Sequence, residues 1–138
     1  MHKHLMIFSD GGARGNPGPA AIAFMIQSER GETVATSSRY VGVSTNNQAE
    51  YKALLVALET AASLKAEKVT CHLDSELVVK QLSGEYRVKN KELKQLWQTV
   101  QEFKKRFSEI KFVNVPRTHS VIQEVDKLVN LTLDEETG

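Results

Sequence analysis

The sequence is short of cysteine. Cys71 is the only one among 138 residues, so no disulfide can form within the chain, and a reducing, cytoplasmic setting is expected. No apolar run approaches the ~20 residues that would span a bilayer, and no membrane association is expected. The start of the chain lacks the apolar stretch and cleavage site of a secretory signal. Charge of one sign is also missing: the formal net charge is +1, which neither argues for nor excludes a nucleic-acid partner. Repeats, low-complexity tracts and linkers are absent. What remains is 41% apolar and 25% charged, the profile of one soluble globular domain with a single core.

Glycine and proline crowd into one place. Gly11, Gly12, Gly15, Gly18, Pro17 and Pro19 fall within residues 10–19, which read as a turn region. Residues 5–9 before it are apolar almost throughout and read as a central strand. Residues 20–27 form a second apolar strand. Residues 33–41 form a third, whose Thr36, Ser37, Ser38 and Arg39 suit a sheet edge. The short connections make these three an antiparallel meander.

The period then changes. Over residues 48–64, Leu54, Ala57, Leu58 and Ala61 recur at helical spacing, preceded by Thr45, Asn46 and Asn47, all capable N-caps. Residues 68–74 are a fourth strand, able to return parallel to an earlier one by a right-handed crossover. Residues 75–82 form a short helix and residues 91–107 a longer one. Residues 110–115 form a fifth strand stopped by Pro116, and residues 121–134 a last helix. Trp97, Phe103 and Phe107 share a stripe with Leu93, Leu96 and Val100 and read as core rather than as a base-stacking surface. The expected fold is α/β, a five-stranded mixed sheet flanked by helices in the order βββαβααβα.

Four carboxylates stand in places where a solvated acid is not needed. Asp10 ends an apolar strand with no Lys or Arg close in sequence. The plain alternative is an acid that opens an Asp-Gly turn. Glu50 lies on the apolar stripe of its helix, or else closes a capping box with Asn47. Asp74 ends the fourth strand. If that strand lies parallel beside the first, both aspartates emerge at the edge where α/β sheets hold ligands. Asp74 could instead cap the next helix, although Ser75 can do that. Asp126 shares a stripe with Ile122, Val129 and Leu133, or is simply a solvated helix acid. Together the four make an all-oxygen set of the kind hard divalent ions favour, and held close without a cation they would repel.

Three segments resemble the signatures of type 1 ribonuclease H. They are Asp10-Gly11-Gly12-Ala13-Arg14-Gly15-Asn16-Pro17-Gly18-Pro19, Thr45-Asn46-Asn47-Gln48-Ala49-Glu50-Tyr51 and Asp74-Ser75-Glu76-Leu77-Val78-Val79. The order of elements fits as well, so the resemblance covers nearly the whole chain. It implies a ribonuclease H-like fold and one catalytic domain over residues 1–138, without an appended hybrid-binding domain. It implies a metal-dependent endoribonuclease that hydrolyses the RNA strand of RNA/DNA hybrids, leaving 5′-phosphate and 3′-hydroxyl ends. Asp10, Glu50, Asp74 and Asp126 would hold two Mg²⁺ ions, for which Mn²⁺ could substitute, with Asp10 bridging them.

The segment Val115-Pro116-Arg117-Thr118-His119 resembles the family's loop before the last acid, and implies a proton-handling or product-release role for His119. An exposed loop histidine is the plain alternative. The sequence departs here from the family pattern: Ser120 replaces an asparagine, Val125 replaces an alanine, and the stretch from Arg117 to Asp126 is longer. The resemblance further implies Arg14, Gly15, Asn16, Asn47 and Gln48 as contacts to the 2′-hydroxyls that mark RNA. Lys89 and Asn90 would hold DNA-strand phosphates. The substrate partner is an RNA/DNA hybrid, and the chain is expected to act as a monomer. Competing readings are an inactive nucleic-acid-binding module of this fold, a transposase-like two-metal nuclease, or a sugar-kinase-like ATPase, for which the chain is too short. A His2-x-His4 pair could bind a transition metal but reads as ordinary polar sequence.

Overall fold

The computed structural model describes residues 3–137. In chain order it contains β1 (His4–Ala13), β2 (Gly18–Ser28), β3 (Thr33–Ser44), α1 (Asn46–Ser63), β4 (Lys68–Leu73), α2 (Glu76–Leu82), α3 (Lys91–Lys104), β5 (Glu109–Asn114) and α4 (Ser120–Thr137). This is the expected βββαβααβα order. The strands form one five-stranded sheet ordered β3-β2-β1-β4-β5. β1 pairs antiparallel with β2, and β2 with β3, while β4 runs parallel to β1 and β5 parallel to β4. β1 is central and β3 is an edge, as their compositions imply. His2 lies outside the described residues, so the paired-imidazole arrangement does too. His4 hydrogen-bonds Thr70 Oγ1 through Nε2 at 2.8 Å.

Alternation along β1 sorts its side chains to two faces. Leu5 and Ile7 join Tyr51, Leu54, Leu58, Val78, Leu82 and Val100 in the larger core beneath α1, α2 and α3. Phe8 points the other way and packs with Ala21, Ala23, Ile122, Val125, Val129 and Leu133 beneath α4. Each fully buried Leu or Ile contributes roughly 2 kcal/mol of transfer free energy, so both layers hold the sheet firmly. α3 stops at Lys104, earlier than its stripe suggests. Phe107 still packs into the core from the turn that follows, with Trp97 and Phe103 against the same cluster. The core reading of these aromatics therefore holds.

Two boundaries differ from expectation at the site itself. Residues 10–13 are strand rather than turn. Asp10, Gly11, Gly12 and Ala13 pair with Ala23, Ile22, Ala21 and Ala20. Glycine carries no side chain to obstruct that ladder, and here it is demanded by packing. A Cβ on Gly11 would lie 2.3 Å from the Ala49 carbonyl carbon and oxygen and 2.7 Å from the Glu50 nitrogen. The first turn of α1 thus rests directly on the backbone of β1. The true turn is residues 14–17, and it closes tightly: a Cβ on Gly18 would lie 2.1 Å from the Arg14 carbonyl oxygen.

The second difference is the cap of α1. Thr45 is the N-cap. Its side chain accepts the Gln48 amide at 3.1 Å, and Gln48 Oε1 accepts the Thr45 amide at 3.0 Å. This reciprocal box satisfies two of the helix's free donors. It also overturns the alternative in which Asn47 and Glu50 form the box and Glu50 is merely a capping acid.

Candidate active site

β1 and β4 are parallel neighbours, so Asp10 within β1 and Asp74 just past β4 come to one side of the sheet. Glu50, in the first turn of α1, is brought there by the close contact over Gly11. Asp10, Glu50 and Asp74 each offer a carboxylate oxygen, and these oxygens lie within 4.8 Å of one another. Ser75 caps α2 by accepting the Val78 amide at 3.3 Å, so Asp74 is not needed for that cap. A cavity of about 360 Å³ opens over the three acids. Asp126 lines it from α4, together with Asn47, Arg14, Arg117 and Asn130.

The electrostatics are those of crowded, half-dried acids. Burial pushes the Asp10 carboxyl up to about 7, helped by the charges of Asp74 and Asp126. Burial likewise holds Glu50 well above the usual range, with Asp10 adding to the effect and the Gly11 amide opposing it. Asp74 is raised by burial and partly relieved by Arg117. Glu50 Oε1 accepts the Gly11 amide at 3.0 Å. Its Oε2 is buried with no hydrogen-bond partner among the described residues. A buried, unpartnered carboxylate oxygen beside two more carboxylates fits a hard divalent cation, which would relieve both the repulsion and the missing bond.

A stability consequence follows from the sign of these shifts. Between its ordinary 3.8 and about 7, Asp10 keeps a proton in the folded protein that the unfolded chain has lost. Stability from this group must then fall as pH rises through that window. The melting temperature of the metal-free protein is expected to drop from pH 4 to pH 7, and Mg²⁺ should recover the loss above pH 7. Calorimetry in EDTA and in Mg²⁺ checks this. No Mg²⁺-dependent gain at pH 8 would mean that the acids do not share a cation.

The other sequence candidates divide. Asn47 lines the cavity. Gly15 and Asn16 are exposed in the β1–β2 turn, and Asn16 Oδ1 accepts the Asn46 amide at 3.0 Å. Gln48 is engaged in the capping box, and its Nε2 donates to Glu92. Arg14 reaches the cavity, but its guanidinium is bound to α4. Lys89 and Asn90 are exposed at the start of α3 and do not line the cavity, and Asn90 caps that helix by accepting the Leu93 amide at 3.0 Å. His119 does not line the cavity. Its ring packs against Phe8 at 5.3 Å between centroids, and its Nδ1 accepts the Val121 amide at 3.2 Å.

Two residues were missed by the sequence reasoning. Arg117 Nε lies 3.6 Å from Asp74 Oδ2. The sequence offers it only as part of a loop motif, and nothing local links it to an acid 43 positions earlier. Asn46 Oδ1 accepts the Ala13 amide at 2.7 Å, so with its own amide on Asn16 it ties the β1–β2 turn to the start of α1. Its place between Thr45 and Asn47 was the available signal.

Comparison with known proteins agrees with this geometry. A family profile described as "Reverse transcriptase-like" matches residues 8–132. Ribonuclease HI of Halobacterium salinarum is 38% identical over 128 residues, 93% of this chain and 63% of the relative. A bifunctional protein of Mycobacterium tuberculosis is 37% identical over 131 residues, 94% of this chain and 35% of its own length. The chain thus spans less than two thirds of either curated relative. Among solved structures, the ribonuclease H1 of H. salinarum superposes with a TM-score of 0.91 at 36% identity, covering 96% of this chain and 98% of that one. The compost-derived LC11 ribonuclease H1, solved with an RNA/DNA hybrid, gives 0.91 at 40% identity, covering 97% and 99%. With the family profile matching residues 8–132 and the fold match covering nearly the full length, the chain belongs to the reverse transcriptase-like family and has the ribonuclease H fold.

Proposed function

We propose that the chain is a metal-dependent endoribonuclease that hydrolyses the RNA strand of RNA/DNA hybrids, leaving 5′-phosphate and 3′-hydroxyl ends. The observation that carries this reading is the convergence of Asp10, Glu50 and Asp74 with a buried Glu50 oxygen left unpartnered. Asp10, Glu50, Asp74 and Asp126 would hold two Mg²⁺ ions, or Mn²⁺ in their place, which when bound supply Lewis-acid activation of water and stabilisation of the leaving oxygen.

The protein's own groups orient the substrate. Gly15, Asn16 and Asn47 are assigned to the 2′-hydroxyls of the RNA strand, and Gln48 braces the start of α1 through the capping box. Lys89 and Asn90, on the α3 side, are assigned to phosphates of the DNA strand. Arg117, beside Asp74, is a cation available to a phosphate once Asp74 is otherwise engaged. The reading includes one catalytic domain acting as a monomer in a reducing, cytoplasmic setting, in keeping with the single buried thiol of Cys71. No helix among the described residues is long and apolar enough to cross a membrane.

His119 is assigned a proton-handling role at Nε2, since Nδ1 is held by the Val121 amide. His119→Ala is expected to slow turnover by up to about 10²-fold without abolishing it. Unchanged kinetics across pH would remove His119 from the mechanism.

The deciding experiment is a side-by-side digest of hybrid, DNA duplex and RNA duplex of one sequence, in Mg²⁺ and then in Mn²⁺. Only the hybrid should be cut well, because groups that read 2′-hydroxyls are left unpaired against DNA. A second RNA strand would crowd the side expecting deoxyribose. Equal cutting of DNA duplex and hybrid would favour a transposase-like nuclease. Hybrid binding with no cutting in either metal would favour an inactive module.

A further inference from the structure

We propose that Arg14 and Asn130 are positioning residues for Asp126, forming a relay from the β1–β2 turn through α4 to the metal site. This rests on the assignment of Asp126 as a metal ligand made above. Arg14 Nη2 donates to Asp134 Oδ1 at 2.6 Å and to the Asn130 carbonyl at 3.3 Å, and Nη1 donates to Thr137 Oγ1 at 3.3 Å. Asn130 Nδ2 in turn donates to Asp126 Oδ2 at 3.3 Å and to the Asp126 carbonyl at 3.1 Å. One arginine therefore grips the last turns of α4, and the residue whose carbonyl it holds orients the carboxylate one turn earlier.

The need for such a device lies in how the acids are mounted. Asp10 sits within β1 and Asp74 directly past β4, strands joined by a hydrogen-bonded ladder, and Glu50 sits on a helix seated on bare backbone at Gly11. Asp126 arrives on α4, which packs on Phe8, Ala21 and Ala23 of the sheet through Ile122, Val125, Val129 and Leu133. Apolar packing of this kind is non-directional. Directional bonds to α4 come from Arg14, just beyond the strand that carries Asp10. The relay thereby sets the spacing between Asp10 and Asp126.

The ion pair is exposed, so its stabilising effect is small. Its effect on ligand geometry is the larger one, because groups that orient a metal ligand commonly alter metal affinity by 10- to 100-fold. Charge gives a discriminating sign. Removing a nearby cation would, by itself, strengthen cation binding to the acids. Weakened binding on loss of Arg14 therefore reports lost positioning.

The test uses Arg14→Met, Asn130→Ala and the double variant of the full chain. Mn²⁺ binding is followed by electron paramagnetic resonance titration, hybrid binding in EDTA by fluorescence anisotropy, and cleavage against Mg²⁺ concentration. Each single variant should weaken Mn²⁺ binding about tenfold and raise the Mg²⁺ needed for half-maximal cleavage in step. Hybrid binding of Asn130→Ala in EDTA should stay within about twofold, and the double variant should bind Mn²⁺ no worse than either single, as for one shared pathway. Unchanged or tighter Mn²⁺ binding would overturn the relay. Weakened hybrid binding in EDTA with intact Mn²⁺ affinity would do so as well, and would make Arg14 an RNA contact. Additive losses in the double variant would also overturn it. If Arg14→Met fails to fold, Asn130→Ala carries the same expectation alone. A wild-type protein that binds Mn²⁺ but cuts no hybrid defeats the ribonuclease reading and leaves the relay to be decided by the Mn²⁺ data. A wild-type protein that binds no Mn²⁺ defeats both.

Discussion

Asp10→Asn is expected to abolish hybrid cleavage and to raise the melting temperature of the metal-free protein. The two effects have one cause. Asp10 is buried beside Glu50 and within the field of Asp74 and Asp126, and burial already pushes it up to about 7. A neutral amide keeps the shape and removes the charge. It would not serve as an anionic ligand to the proposed cations, so the loss in rate should be about 10³-fold or more, comparable with losing a principal electrostatic contributor to catalysis. It also removes a like charge from the cluster. At pH 8 the gain should be on the order of 2 kcal/mol, or roughly 5–10 °C for a domain of this size. At pH 4, where the folded-state carboxyl is protonated and brings no charge to the cluster, most of the gain should vanish. Cleavage assays with matched melts at the two pH values check both parts. A variant cutting at near wild-type rate in Mg²⁺ would remove Asp10 from the mechanism.

Gly11→Ala is expected to lose activity by a different route, through the fold. The added Cβ would meet the Ala49 carbonyl and the Glu50 nitrogen well inside contact distance, and those atoms are backbone, which cannot rotate away. Either α1 lifts off β1 or the strand bows. Overpacking of this kind costs about 3 kcal/mol, a fall of roughly 10 °C. Glu50 is carried on the displaced turn, and its Oε1 would lose the Gly11 amide. Gly12→Ala supplies the control. Its Cβ would find only Val129 Cγ1 at 3.5 Å, an ordinary contact, so its stability should change by less than about 1 kcal/mol. Equal melting temperatures for the two variants would mean that the helix does not rest on Gly11.

Much of this arrangement was legible in the residues, and the failures are instructive. The meander, the parallel fourth strand and the buried face of Glu50 followed from period and composition, because burial on one face is what sets those periods. Asp10 was placed at a strand's end because two glycines follow it. The structure continues the strand through them, since pairing with β2 and the approach of α1 outweigh glycine's usual meaning as a turn. Thr45, Asn46 and Asn47 were equally good caps in isolation. Gln48, three residues beyond Thr45, decided between them. α3 ends before its apolar stripe does, because Phe107 can reach the core without a helical backbone. Arg117 beside Asp74 and Arg14 on α4 were not legible. Both are exposed, long side chains whose partners are set by tertiary proximity alone.

The position of β1 at the centre of the sheet has a consequence for how the molecule comes into being. Its pairing with β2 is local, closed by a short turn. Its pairing with β4 joins His4 to Lys68, across the whole of the meander and α1. Contacts so distant along the chain carry a loop-closure cost that must be met before they return anything. Glu50 meets Asp10 as soon as α1 seats on β1, whereas Asp74 joins them only at that closure. The repulsion that Asp74 adds is therefore silent while the meander and its helix assemble, and weighs on the last steps, when the crossover brings Asp74 alongside Asp10.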